Sequence, residues 1–397
     1  MKGEQKYREG GGPMGRSATV IRPAIQPGRR VVAVSDIHGN LPFLKGLLER
    51  VALTAGDVLI LVGDLLEKGR DSLATLRYVM ELRERYTVYP LCGNCDYIDR
   101  MFLEGEASGE DSFSRWMKNG AGADGVDEGL WPILRYWRER STLIQMGLEL
   151  GLPMPRQASD LPALRSALLD AFPKETAFLM DLPHILEAGN FIFVHGGVPR
   201  EDALDELDAY SCLKYDNFLG QGLSFRKWVV VGHWPVTLYD PGIQRCAPII
   251  DRDRHIASID GGCVLKVDGQ LNALIIPDVC GDELDFLAYD GLEPVTALDA
   301  QEASPDPVNI RWSDSAVEVL SEDGDCVLAR HPSSGRELWL PRDFISRWRD
   351  GRTHTEDATD YRLSVEPGDT LYLVRKTQRG CLVKKDSVTG WYFGRIE

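Results

Sequence analysis

Five short segments between Ser35 and Pro235 each place a metal-binding side chain where a strand is expected to end. They read Ser35-Asp36-Ile37-His38-Gly39-Asn40, Gly63-Asp64-Leu65-Leu66-Glu67-Lys68-Gly69, Gly93-Asn94-Cys95-Asp96, Val194-His195-Gly196-Gly197 and Val231-Gly232-His233-Trp234-Pro235. Asp36, His38, Asp64, Asn94, His195 and His233 form a set of hard oxygen and borderline nitrogen donors able to hold two divalent cations. A chain that uses them together must gather the ends of separate strands into one crevice. That requirement restricts the fold more than any other feature.

The apolar runs between these segments supply the strands. Arg30-Val31-Val32-Ala33-Val34-Ser35 reads as a buried parallel strand, and Leu41 to Val51 follows with helical spacing. Val58-Leu59-Ile60-Leu61-Val62 is a second buried strand, Asp71 to Arg85 a second helix, and Thr87-Val88-Tyr89-Pro90-Leu91 a third strand leading to Gly93. The alternation predicts an α/β architecture with functional groups at the carboxyl ends of strands. From Tyr97 to about Leu182, Trp116, Trp131, Trp137 and the Leu-rich stretch Leu161 to Phe172 predict helices, interrupted by the Gly-rich piece Asn119 to Gly125. This is a helical insertion that walls or caps the site. Phe191 to Val194 and Trp228 to Val231 resume buried strands, each leading into a His, and His255 to Gly262 with Leu271 to Ile276 read as a closing pair.

The two ends differ from this middle. Residues 1–28 are expected to be a disordered tail, since three consecutive glycines and mixed charges offer nothing to bury. The main domain is placed at 29–292, with the insertion at about 97–182, followed by a linker at 293–308 and a small β-barrel-like domain at 309–397. Short β-like runs there are separated by turn signals such as Pro332-Ser333-Ser334-Gly335. Residues 365–396, with Pro367-Gly368-Asp369 and Gly390-Trp391-Tyr392-Phe393-Gly394, resemble the later strands of an SH3-like barrel. Trp391-Tyr392-Phe393 is read as a core strand, and Lys384-Lys385 and Arg347-Trp348-Arg349 as solvated faces.

Composition excludes some functions. A net charge of -16 argues against a non-specific grip on nucleic acid, which needs Lys and Arg to displace phosphate counterions. It leaves room for a small phosphorylated ligand, because metal charge dominates locally. Eight Cys in 397 residues are too sparse for a disulfide framework. No apolar run reaches the length of a membrane span, and the polar start lacks the core of a signal peptide. A reducing cytoplasm is the expected location, with no membrane partner.

The chemistry follows from the donor set. Asp36 and His38 straddle one strand end, and Asp64 could bridge two ions through its two carboxylate oxygens. Such a pair of cations converts water to hydroxide near neutral pH and neutralises phosphate oxygens during in-line attack. His184 and His255 have no recruiting neighbours in sequence and are taken as structural or surface residues.

The order Asp-x-His-Gly, Gly-Asp-x-x-x-x-Gly, Gly-Asn-x-Asp, His-Gly-Gly and Gly-His-x-Pro resembles the calcineurin-like metallophosphoesterase superfamily over about residues 30–280. It looks most like the phosphoprotein phosphatase branch, which includes bacterial Ser/Thr phosphatases and symmetrical diadenosine tetraphosphate hydrolases. Asp181-Leu182-Pro183 and Ile259-Asp260-Gly261-Gly262-Cys263 add to the likeness. The resemblance implies a metallophosphoesterase β-sandwich flanked by helices (αββα). It implies one metal (Mn, Fe or Zn) on Asp36, His38 and a bridging Asp64, and a second on Asp64, Asn94, His195 and His233.

Two departures bear on mechanism. Cys95 stands where the branch carries the His that protonates the leaving oxygen, and Glu67-Lys68 stand where it carries Asp-Arg. The catalytic positions therefore fall on Cys95, Asp96 and Glu67, with Lys68 as the phosphate-binding residue. Lys neutralises a phosphate oxygen without the bidentate fork of Arg. Cys92-Gly93-Asn94-Cys95 also spells a C-x-x-C, for which a buried, unpaired Cys92 is the preferred reading. The function expected is hydrolysis of a phosphomonoester, on protein or on a small metabolite, by a metal-bridging hydroxide. The rivals are a dinucleoside polyphosphate hydrolase or phosphodiesterase, and a catalytically weak fold that recruits a protein partner through the C-terminal domain.

Overall fold

The structure is a computed structural model describing residues 16–105, 125–348 and 350–397. Trp116, most of Asn119 to Gly125, and Arg349 lie outside the described residues.

Two sheets face each other. The first runs β12-β11-β2-β3-β4. Its strands are β2 (Val31–Val34), β3 (Val58–Leu61), β4 (Thr87–Pro90), β11 (Leu271–Ile276) and β12 (Asp285–Tyr289). β2, β3 and β4 are parallel, and β11 joins β2 antiparallel. The second sheet runs β1-β5-β6-β7-β10-β9. It comprises β1 (Val20–Ile21), β5 (Ile185–Ala188), β6 (Phe191–Val194), β7 (Trp228–Val231), β9 (Ile249–Asp251) and β10 (Ile256–Ser258).

Continuous apolar strands suit this arrangement because both faces of each strand are covered. Successive side chains alternate between faces. Val31, Ala33, Val58 and Ile60 meet Phe191, Phe193, Trp228 and Val230 between the sheets. Their neighbours Val32, Val34, Leu59 and Leu61 face outward onto a helical layer. On the far side Ile192, Val194, Val229 and Val231 pack on Leu204, Tyr215 and Phe218. The mixed α/β class predicted from the sequence is therefore the observed one, with a two-sheet sandwich at its centre.

Helices α1 (Leu41–Val51) and α2 (Ser72–Arg85) cross between the parallel strands, and α3 (Asn94–Glu104) follows β4. The insertion continues through α4 (Val126–Trp137), α5 (Thr142–Glu149), α6 (Leu161–Ala171) and α7 (Pro173–Met180). Trp137 is buried in the helical layer. Helix α3 begins at Asn94, so a candidate ligand occupies its first turn.

Several sequence expectations change. Residues 16–28 are not a free tail: Val20 and Ile21 pair with Ile185 and Leu186, and Ala18 is buried. The short apolar pair completes the edge of the second sheet, which composition alone did not reveal. His255 to Gly262 and Leu271 to Ile276 do not close one sheet together, because β10 pairs with β7 and β11 with β2. The stretch 293–308 is not a loose linker: β13 (Glu293–Thr296) pairs with β21 (Thr370–Thr377), and Ala297 is fully buried.

Among the described residues the C-terminal strands pack around three small clusters instead of one barrel core. One is a meander of β15 (Glu318–Asp323), β16 (Cys326–His331) and β17 (Arg336–Pro341). Another is a sheet of order β13-β21-β22-β23-β8, with β22 (Gly380–Lys385) and β23 (Val388–Tyr392). Its last member, β8 (Gln244–Arg245), belongs to the preceding region. Trp391 and Tyr392 are buried and Phe393 is exposed, as the core reading of that strand requires. Lys384 departs from expectation. It is buried, with Nζ 3.0 Å from Asp290 Oδ2 and 3.1 Å from Gln270 Oε1. Among the described residues, no helix is long and apolar enough to cross a membrane.

Candidate metal centre

The carboxyl ends of β2, β3, β4, β6 and β7 converge on one buried crevice. Asp36, His38, Asp64 and His195 are each almost wholly inaccessible to solvent. The turns that carry these side chains are strained. Asp36, His38, Asp64 and His233 have φ of 54°, 49°, 47° and 66°, and Glu67 and Lys68 are both at 67°. Non-glycine residues avoid this left-handed region, and each costs about 1–3 kcal/mol that the surrounding structure must offset. Two glycines allow the loops to touch. A Cβ on Gly93 would lie 2.0 Å from the Asp64 nitrogen, and one on Gly232 would lie 2.3 Å from Asp36 Oδ2.

Hydrogen bonds fix how the donors point. His195 Nδ1 is 3.0 Å from the Val62 carbonyl, so that nitrogen carries the proton and Nε2 presents a lone pair. This Nε2 faces Asn94 Oδ1 at 3.2 Å and Asp64 Oδ1 at 3.3 Å. Asn94 turns its amide nitrogen to Cys95 Sγ, which leaves its oxygen toward His195. Three lone-pair groups thus converge with no proton to share. A cation among them resolves the conflict, and nitrogen, amide oxygen and carboxylate are the donors a divalent metal accepts.

His38 makes a similar half. Its Nδ1 is directed to the Leu66 carbonyl at 3.4 Å, and Nε2 lies 3.8 Å from Asp36 Oδ1 and 3.7 Å from Asp64 Oδ2. Asp64 therefore stands between the halves, one oxygen toward each. His233 packs edge-on to His195 with ring centroids 5.3 Å apart, and its backbone N–H donates to Asp36 Oδ2. All six sequence-predicted ligands are in one place.

Electrostatics supports neutral imidazoles and a cationic occupant. Burial lowers His38 to about 3 and His195 to about 4, so both rings are uncharged at neutral pH. Burial, with Asp260 and Asp64 nearby, pushes Asp36 well above the usual carboxylate range. Burial also opposes ionisation of Asp64, yet the Lys68 ammonium and the Cys95 N–H hold it below that range.

The other expected residues have varied places. Cys95 lies with His38 and Asp64, and its N–H donates to Asp64 Oδ1 at 2.8 Å. Burial and then Asp64 push its thiol well up, so the sulfur keeps its proton. Asp96 and Glu67 sit differently from the catalytic roles expected of them. The Asp96 carboxylate accepts the N–H groups of Gly93, Leu65 and Leu66, tying the Asp64 loop to helix α3. Glu67 points away from the donors and accepts the Thr142 N–H at 2.7 Å, at the start of helix α5. Lys68 Nζ lies 3.3 Å from His38 Nε2. Cys92 is buried and unpaired, as preferred, and every Cys among the described residues is free. His184 accepts the Thr19 N–H, a structural role.

Two further residues belong to the site. Asp216 Oδ1 lies 2.7 Å from His233 Nε2 and leaves Nδ1 as that ring's free nitrogen. Nothing in the local sequence Lys214-Tyr215-Asp216-Asn217 marks it, because it arrives on a loop folded over from outside the strands. Asp260 is fully buried, with Oδ1 bound to the Gly262 N–H and Oδ2 without a hydrogen-bond partner. It ends β10 as Asp36 ends β2, and that repeated placement was the available signal.

The chain is similar to known proteins over short stretches of sequence. Symmetrical bis(5'-nucleosyl)-tetraphosphatase of Cellvibrio japonicus (strain Ueda107) is 46% identical over 65 residues, covering 16% of this chain and 23% of the relative. Its counterpart from Pseudomonas fluorescens (strain SBW25) is 53% identical over 53 residues, covering 13% of this chain and 19% of the relative. The chain thus spans under a quarter of the length of these curated relatives. A cold-active protein-tyrosine phosphatase of a psychrophilic Shewanella species aligns over 69% of this chain and 83% of its own, with 14% identity and a TM-score of 0.37. The sequence model of the calcineurin-like phosphoesterase family matches residues 29–257, the stretch that holds all six donors. With more than half of the sequence matched and its strand-end donors gathered about Asp64, the chain belongs to the calcineurin-like phosphoesterase family.

Proposed function

We propose that the protein is a dinuclear metal-dependent phosphoesterase that hydrolyses phosphomonoesters, on protein or on a small metabolite. The observation that carries this reading is the convergence on His195 Nε2 of two further acceptors, Asn94 Oδ1 at 3.2 Å and Asp64 Oδ1 at 3.3 Å. Asp36, His38 and Asp64 would hold one divalent cation, and Asp64, Asn94, His195 and His233 the other. Bound there, such cations supply Lewis-acid charge for phosphate oxygens and lower the pKa of water toward neutrality. The donor set suits Mn, Fe and Zn alike.

The chain's own groups do the rest. Lys68, once moved off His38, adds a positive charge for a phosphate oxygen. The protonated Cys95 thiol, beside Asp64, donates its proton from Sγ to the leaving alkoxide as the phosphorus–oxygen bond breaks. Asp96 and Glu67 are positioning residues that hold the backbone of the Asp64 loop. The free, mostly buried thiols fit a reducing cytoplasm.

A second reading has its own support. The relatives named symmetrical bis(5'-nucleosyl)-tetraphosphatases match at 46–53% identity over short stretches, which favours a dinucleoside polyphosphate as an alternative substrate. Turnover of a nitrophenyl monoester, a nitrophenyl diester and a dinucleoside tetraphosphate by Mn-loaded protein separates these readings. Monoester hydrolysis that disappears in Asp64→Asn, with the circular dichroism unchanged, is the expected result. No phosphate release with Mn, Fe or Zn, together with specific retention of a protein partner, would favour the binding-protein rival.

A further inference from the structure

Lys68 does not reach outward to meet a ligand. Its side chain is 24% exposed, and Nζ lies 3.3 Å from His38 Nε2 and 3.8 Å from Asp64 Oδ2. The left-handed backbone at both Glu67 and Lys68 turns the side chain back over its own loop. Because His38 directs Nδ1 to the Leu66 carbonyl, the nitrogen that meets the ammonium is the lone-pair nitrogen. An N–H donor thus already sits on the donors of the Asp36–His38 half.

The other half has its cations further out. Around His195 Nε2 lie Asn94 Oδ1 and Asp64 Oδ1, while Lys68 meets Asp64 through Oδ2 and Lys214 pairs with Asp216 behind His233. A second divalent cation must displace the ammonium from His38 and Asp64, because like charges held close in a buried site repel strongly.

We propose that Lys68 is a built-in cation of the Asp36–His38 half, which makes the two metal positions unequal. The Asp64–Asn94–His195–His233 half fills first, and the Asp36–His38–Asp64 half fills only as Lys68 is displaced. The proposal rests on the hydrolase reading only in taking these six side chains as ligands.

The test is a titration of the chelator-stripped, full-length protein with Mn(II), followed by calorimetry and by electron paramagnetic resonance. The wild type is expected to show two binding events at least about tenfold apart in affinity. One equivalent of Mn(II) should give an uncoupled six-line spectrum. In Lys68→Met the gap should close, with an exchange-coupled signal appearing at lower Mn(II). Lys68→Arg, which keeps the charge, should retain a gap. Two equal sites in the wild type would overturn the proposal, even if Lys68→Met fails to fold. An unchanged gap in a folded Lys68→Met would overturn it as well. Failure of the hydrolase reading looks different: no Mn(II) binds to either protein.

Discussion

Asp216 holds one ring nitrogen of His233 and leaves the other free. A carboxylate on the far nitrogen fixes the ring's tautomer and orientation and raises its basicity, and losing such a partner typically costs about 10–100-fold in metal affinity. Asp216→Ala is expected to weaken Mn(II) binding by about that factor, as read by calorimetry, without changing the unfolding midpoint. Asp216→Asn, which can still accept the N–H, should recover part of the loss. Equal affinity in wild type and Asp216→Ala would show that His233 needs no such support. At this scale the sequence was legible where a side chain ends a strand. Asp36, Asp64, Asn94, His195 and His233 all do so, and the structure brings them together. Asp216 was missed because its loop meets His233 only through tertiary folding. The roles expected of Asp96 and Glu67 could not be separated from backbone support, because a carboxylate aimed at a metal and one aimed at an amide look alike in sequence.

At the scale of elements, the short apolar strands were the most readable part. Four consecutive buried residues such as Val31–Val34 need cover on both faces, and a parallel, doubly covered sheet provides it. Less readable was β1, whose two residues become a strand only because β5 offers an open edge. The start of β2 carries a separate device. Arg30 forks onto Asp57, with Nε 2.8 Å from Oδ1 and Nη2 2.6 Å from Oδ2, and the Thr54 N–H also donates to Oδ2. The Arg30 guanidinium beside it lowers the Asp57 carboxyl to about 2. Because that is below the unfolded value of about 3.9, the pair contributes stability above about pH 4, lost as pH falls through about 2. Asp57→Asn should therefore be less stable than the wild type at pH 6, with the difference shrinking toward zero near pH 2. Thermal unfolding of both proteins across that range checks the sign. A difference that stays constant with pH would rule out the ionised pair as its source.

For the molecule as a whole, the C-terminal region is joined to the phosphoesterase region by buried polar contacts and a shared sheet. β23 pairs with β8, Lys266 forms an ion pair with Asp357, and Asn309 donates to the carbonyls of Thr237 and Asp240, just beyond His233. A linker reading of 293–308 could not foresee this, since Asp, Ala, Pro and Ser resemble a spacer until a partner strand is present. Removing one member of a buried pair leaves the other uncompensated, at a cost of about 3–5 kcal/mol. Lys384→Met, which strands the partly buried Asp290, should lower the stability of the whole chain by less than that amount in urea unfolding, as a single transition. Loss confined to a separate early transition would mean that the C-terminal region folds independently. The central claim, that five strand ends cage divalent cations around Asp64, is tested most directly by anomalous diffraction from a Mn(II)-soaked crystal. The account predicts anomalous density within coordination distance of Asp64, His195 and Asn94. Clear density elsewhere, with none at Asp64, would contradict it.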